Sequence, residues 1–247
     1  MSAPSLTGHG TPEEAWWGPG GLDTVPARDP WEIRPPGRVV VVAPHPDDEV
    51  LGVGGTLAVW AAAGTEVAVV AVTDGEGSHP GSPTTTPAAL AARRAEERRD
   101  ALAVLGVEAA VARLRLPDSA VAAGDVADAL GDLLRAGDTV VVPVDGDGHP
   151  DHDAVAAGGA RAAADAGVAC WRYPVWLWHW ARPGAVSFDG ARRLVLPGTA
   201  VRAKGVAISR FTSQIAPLSD DPRDATVLSD AVLARFRRDS EILWGPR

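Results

Sequence analysis

The chain has 247 residues, 46% of them hydrophobic and 22% charged, enough to bury one large core and ordinary for a soluble globular protein. Its 32 Asp and Glu outnumber 23 Lys and Arg, for a net charge of −9, which argues against a nucleic-acid binder with the basic face that phosphates require. One cysteine, Cys170, excludes an intramolecular disulfide framework, and the absence of a signal-peptide pattern or a membrane-length apolar run leads us to expect a cytoplasmic chain with no membrane span.

Residues 1–36 carry seven prolines and several glycines without a sustained apolar period. They read as an arm packed on a single domain of residues 37–247, anchored by Trp16, Trp17 and Trp31. Val39 to Ala43 is a continuous β-branched run, the pattern of a strand buried on both faces. A helix is expected over 52–63, a second buried strand over 67–72, and a long helix over 87–105 closed by Gly106. A strand over 111–116, a helix over 124–135, a strand over 139–143 and a helix over 153–166 complete the readable pattern. Strands alternating with helices predict an α/β fold: a Rossmann-like, mostly parallel, doubly wound sheet with helices on both faces. Ligands in such folds bind beyond the carboxyl ends of the strands.

Two of those ends are rich in ligating side chains. The first strand runs into Pro44-His45-Pro46-Asp47-Asp48-Glu49, and the strand at 139–143 leads to Asp145-Gly146-Asp147-Gly148-His149-Pro150-Asp151-His152-Asp153. Two histidines with one carboxylate suit a catalytic zinc that keeps a position for water, and would also suit ferrous iron. The prolines stiffen both turns by fixing φ.

These segments resemble the two signature motifs of the PIG-L/LmbE-like zinc-dependent N-acetylglucosaminyl deacetylases. Thr73-Asp74-Gly75-Glu76, the segment Arg94 to Gly106, Leu116-Pro117-Asp118 and Ser213-Gln214 are similar to further pieces of that family. The resemblance implies a metal-dependent hydrolase that removes an N-acyl group, acetyl first, from an amino sugar or its conjugate. It implies His45, Asp48 and His152 as metal ligands and Asp47 as the general base. It further implies His149 as acid and oxyanion stabiliser, Asp151 as the group that orients His149 and holds it cationic, and Arg94 as a contact to the sugar. Zn2+, or Fe2+, would be the cofactor and a small amino sugar the partner, with homo-oligomerisation left open. The alternatives are a catalytically silent metal- or sugar-binding protein of the same fold, an amidase acting on a thiol-sugar conjugate, and a two-metal phosphoesterase.

Other signals have plainer readings. Gly52-x-Gly54-Gly55 lacks the last glycine of a dinucleotide-binding loop, since Leu57 stands there, and reads as close helix–sheet packing. Asp147 and Asp153 read as turn and helix-cap residues. Arg93, Arg98 and Arg99 read with Glu96 and Glu97 as a solvated ion-pair face. Trp176, Trp178 and Trp180 alternate as one face of a strand would. His79 and His179 read as packing histidines.

Overall fold

The computed structural model describes residues 8–246; residues 1–7 of the expected arm, and Arg247, lie outside the described residues. The chain forms a mixed α/β sheet of 8 strands in the order β1-β7-β8-β6-β5-β2-β3-β4. Its parallel centre is made of β2 (Val39–Ala43), β3 (Val67–Ala71), β4 (Ala110–Arg113), β5 (Thr139–Pro143) and β6 (Ala169–Tyr173). Strand β8 (Ser240–Trp244) lies antiparallel to β6 and to β7 (Ala191–Val195), and β1 (Ala27–Arg28) closes that edge parallel to β7.

Alternate valines explain why both faces are covered. Val39, Val41, Val67, Val69 and Val141 share one core with residues of α1 (Asp48–Ala62), α2 (Pro87–Val104) and α6 (Gly198–Ile208). Val40, Val42, Val70, Val140 and Val142 share the other with α3 (Ala123–Leu133) and α4 (Pro150–Ala166). A run that is β-branched at every position therefore loses no side chain to water.

Several boundaries differ from expectation for local physical reasons. Helix α1 begins at Asp48 rather than Gly52, because Asp48 and Glu49 are favoured by the partial positive charge of a helix N-terminus. Helix α4 begins at Pro150, with the His149 side chain accepting from Asp151 N, and proline suits the first helical position. The strand expected to reach residue 116 stops at Arg113 and the chain turns at Arg115, whose φ is 56°.

The tryptophan-rich stretch is not one strand. Trp171 lies in β6, and Leu177–Trp180 form the short helix α5, so Trp178 turns inward while Trp180 is 38% exposed. Trp178 meets Trp16 edge-on at 4.8 Å, and Trp16 Nε1 donates to the Trp178 carbonyl at 3.1 Å. The amino-terminal segment thus supplies Trp16, Leu22 and Val25 to the main core. Trp31, expected as an anchor, is instead 52% exposed, and the adjacent Pro30 carbonyl accepts from Trp60 Nε1 at 2.9 Å. Helices α7 (Thr212–Ile215) and α8 (Asp230–Leu233) complete the chain. Among the described residues no helix is long and apolar enough to cross a membrane.

Candidate metal centre

The parallel pairing of β2 with β5 places both histidine-bearing loops at one sheet edge. There His45 Nδ1, Asp48 Oδ2 and His152 Nε2 form a nearly equilateral triangle: 3.3 Å from His45 to Asp48, 3.2 Å from His152 to Asp48 and 3.3 Å between the imidazoles. Tetrahedral coordination with ligand bonds of about 2.0–2.1 Å needs ligand–ligand edges of about 3.3–3.4 Å. The donor set and its spacing therefore fit a zinc-like divalent ion. All three side chains are buried. A second trio, His45, His149 and Asp151, also lies within 4.8 Å, but both Asp151 oxygens are already occupied by backbone N–H groups of Ser119 and Val121, at 2.7 and 3.1 Å.

Electrostatics point the same way. Burial opposes the charge on Asp48, but the facing imidazoles of His152 and His45 outweigh it and hold the carboxyl well below its usual range. Burial likewise opposes a charged His152, yet Asp48 and Asp147 push it up to about 9. The acids of this edge require positive charge among them, and protons and a divalent cation compete for that place.

Asp47 sits one residue before the helix with φ 150° and ψ −29°, a region that disfavours side chains and is tolerated where the surroundings over-determine the backbone. Its carbonyl accepts from Val50 N and Leu51 N at 2.9 and 2.8 Å. Burial raises its carboxyl to about 7 against the opposing pull of Arg94. Arg94, which the resemblance implies as a sugar contact, is buried and lines the cavity beside the triangle: its Nη2 donates to Asp47 Oδ2 at 3.1 Å and to Pro46 O at 3.0 Å, and Nη1 to Gly75 O at 2.9 Å. Arg98, read as part of a solvated face, is also buried. It bonds Glu49 Oε1 and His45 O, each at 2.8 Å, because α2 crosses the acidic loop and supplies its countercharge.

The expected Asp151–His149 partnership takes another form. Asp151 Oδ2 lies 3.2 Å from His45 Nε2, and His149 Nδ1 accepts the backbone N–H of Asp151 at 3.2 Å. Burial and the neighbouring His45 and His152 lower the His149 ring to about 4, while Asp151 acts to raise it. Two acids that sequence reading left without a role join the cluster. Asp118 Oδ1 is 3.4 Å from His45 Nε2. Asp147, fully buried, lies 2.8 Å from His152 Nδ1 and accepts from Val175, Trp176 and Leu177 N–H at 2.9–3.0 Å. Beside the triangle is a cavity of about 150 Å³ lined by His45 and Asp48 together with polar Ser78, Asp118 and Gln214 and apolar Leu51, Trp176 and Leu228.

Comparison with known proteins matches a family model described as GlcNAc-PI de-N-acetylase (PIG-L) to residues 40–163, half of the chain. A 1D-myo-inositol 2-acetamido-2-deoxy-α-D-glucopyranoside deacetylase of Saccharopolyspora erythraea is 37% identical over 155 residues, 49% of this chain. Those residues are 51% of that protein, so the chain spans about half the length of this curated relative. Among solved structures, the zinc-inhibited form of teicoplanin deacetylase Orf2 is similar with a TM-score of 0.64 at 23% identity, over 84% of this chain and 97% of that one. The N,N'-diacetylchitobiose deacetylase of Pyrococcus horikoshii is similar with a TM-score of 0.57 at 23% identity, over 74% and 73%; at such identities the likeness is one of fold. The matched segment holds the parallel strands β2, β3, β4 and β5 together with every corner of the triangle, and on that ground the chain belongs to the GlcNAc-PI de-N-acetylase family.

Proposed function

We propose that this protein is a metal-dependent hydrolase that removes an N-acyl group, acetyl first, from an amino sugar or an amino-sugar conjugate. The observation that carries the reading is the 3.2–3.3 Å triangle of His45, Asp48 and His152 with the strained, buried Asp47 beside it at the cavity floor. His45, Asp48 and His152 would hold zinc or ferrous iron, which when bound would supply a Lewis acid to polarise the amide carbonyl and lower the pKa of water. Arg94 occupies Asp47 Oδ2, so Oδ1 is the atom that takes the proton from the attacking water. A carboxyl raised to about 7 is matched to that work near neutral pH.

His149 acts in its neutral form. Because Nδ1 accepts the Asp151 N–H, the ring proton resides on Nε2. That N–H is a donor for the oxyanion developing on the carbonyl oxygen, a preorganised contact of the kind that stabilises the transition state. The proton collected by Asp47 is then returned to the departing nitrogen, so that amide and water become carboxylic acid and amine, which leave as carboxylate and ammonium. Asp151 fixes His149 through its backbone and His45 through its carboxylate. Leu51, Trp176 and Leu228 give the cavity lining its apolar part.

The test is metal content per chain, by elemental analysis, combined with acetate release from N-acetylglucosamine glycosides. One zinc or iron per wild-type chain, lost in His152→Ala, is expected. Asp47→Asn should keep the metal and lose activity by at least about a hundredfold, the scale of a general base. Turnover that survives Asp47→Asn removes the base assignment. A metal-loaded wild type inert on every N-acyl substrate favours the silent binder instead.

A further inference from the structure

Lys204, the sole lysine of the chain, and Glu241 form a buried ion pair of 2.6 Å that the proposed chemistry does not use. Lys204 comes from α6 and Glu241 from β8, and both reach into the middle of α1. Lys204 Nζ donates to the Leu51 carbonyl at 2.8 Å. The Glu241 carboxylate accepts Gly55 N–H on Oε1 and Thr56 N–H on Oε2, each at 2.8 Å.

In a regular α-helix the N–H of Gly55 points at the carbonyl of Leu51. The ion pair contacts that very step, its cation on the carbonyl and its anion on the amide. Each charge complements the dipole of the backbone group it touches. The close approach depends on Gly55, where a Cβ would fall 2.4 Å from Leu196 Cδ1 and 3.2 Å from Glu241 Oε1.

The opening turn ahead of this step carries the chemistry. It begins with Asp48, follows directly on Asp47, and ends at Leu51, whose N–H holds the Asp47 carbonyl at 2.8 Å and whose side chain lines the cavity. The next residue, Gly52, lies against the Tyr173 ring, with 2.2 Å between a would-be Cβ and Cδ2.

We propose that Lys204 and Glu241 are positioning residues: their contacts with the α1 backbone at Leu51, Gly55 and Thr56 set the opening turn, and thereby the placement of Asp48 Oδ2 against the two imidazoles and of Asp47 beside them. The inference rests on the metal-centre reading above. It also separates from stability, because a buried ion pair replaced by apolar groups of similar volume is often as stable or more so.

The experiment is the double substitution Lys204→Met/Glu241→Leu, measured by melting temperature, by zinc affinity in competition with a chromophoric chelator, and by kcat and KM separately. The expected result is a folded protein with zinc affinity weakened by about tenfold or more, the scale of lost outer-shell support, and with kcat reduced more than KM is raised. Val59→Ala, in the same helix beyond these contacts and packed on Leu196 and Ala200, is the control; it should lower the melting temperature and leave zinc affinity alone. Should the double variant fail to fold, Glu241→Gln, which keeps the size and loses the charge, is expected to show a smaller loss of zinc affinity. Wild-type zinc affinity in the folded double variant, or in Glu241→Gln, overturns the proposal while leaving the metal centre standing. A wild type that binds neither zinc nor iron overturns the metal centre and this inference together.

Discussion

Each candidate ligand is held by a second group, and at the residue scale that second group was the harder one to read. His45, Asp48 and His152 are legible because two imidazoles and a carboxylate beyond strand ends already describe a metal site. Asp147 is not: an Asp between two glycines reads as a turn residue. Its carboxylate instead reaches across 28 residues of sequence to the 175–177 amides while standing 2.8 Å from His152 Nδ1. A carboxylate there fixes the imidazole's tautomer and leaves Nε2 unprotonated for a metal. Asp147→Asn should therefore weaken zinc affinity by about 10–100-fold, measured by chelator competition; unchanged affinity would restore the plain turn reading. For Arg94 a resemblance transfers a position and its residue type, whereas the Asp47, Gly75 and Pro46 acceptors that bind its guanidinium become visible only when three loops are brought together.

At the scale of elements, the strands of the parallel centre were the most legible, because a run of β-branched residues has few homes other than a sheet covered on both sides. The inward face of α2 was not legible, since Arg94, Glu97 and Arg98 have the composition of a solvated helix. They are buried because the acidic loop before α1 and the Ser213 segment, whose N–H and hydroxyl both bind Glu97, need opposite charge and acceptors there. The junction of β2 and β5 offers a test of such pairing by pH. Arg38 bonds Asp138 at 3.0 and 2.6 Å. Burial raises the Asp138 carboxyl, but Arg38 and the Arg135 N–H more than offset it and leave the pKa lowered. A carboxyl lowered in the folded state contributes stability above its unfolded pKa of about 3.9 and loses it as pH falls through the native value. Asp138→Asn should thus be less stable than wild type in urea at pH 7. The gap should narrow as pH drops below about 4; a constant gap would mean that the carboxylate charge contributes nothing.

Across the whole molecule, the two ends of the chain and the sheet's far edge form one structure. Trp16 is fully buried against Trp178, and Arg238 stacks over the Trp178 ring at 4.4 Å while bonding Glu13. Trp16→Ala should cost about 3–5 kcal/mol, as for other large aromatic truncations in a core, seen in the urea midpoint; a loss below about 1 kcal/mol would mark the amino-terminal segment as a loose covering. By itself the sequence determined the fold class, and through its family resemblance it pointed to a candidate ligand set, because hydrophobic periodicity and motifs are local properties carried by neighbouring residues. It also identified the glycines of α1 as packing positions, which Gly52 against Tyr173 and Gly55 against Leu196 bear out. Only the tertiary structure decided the bond from the Asp151 N–H to His149 Nδ1, the inward turn of Arg94 and Arg98, the reach of Asp147, and the contacts of Lys204 and Glu241 with α1. Each of these depends on which distant groups share a water-poor space, where unpaired charge is costly and every buried donor must find its acceptor.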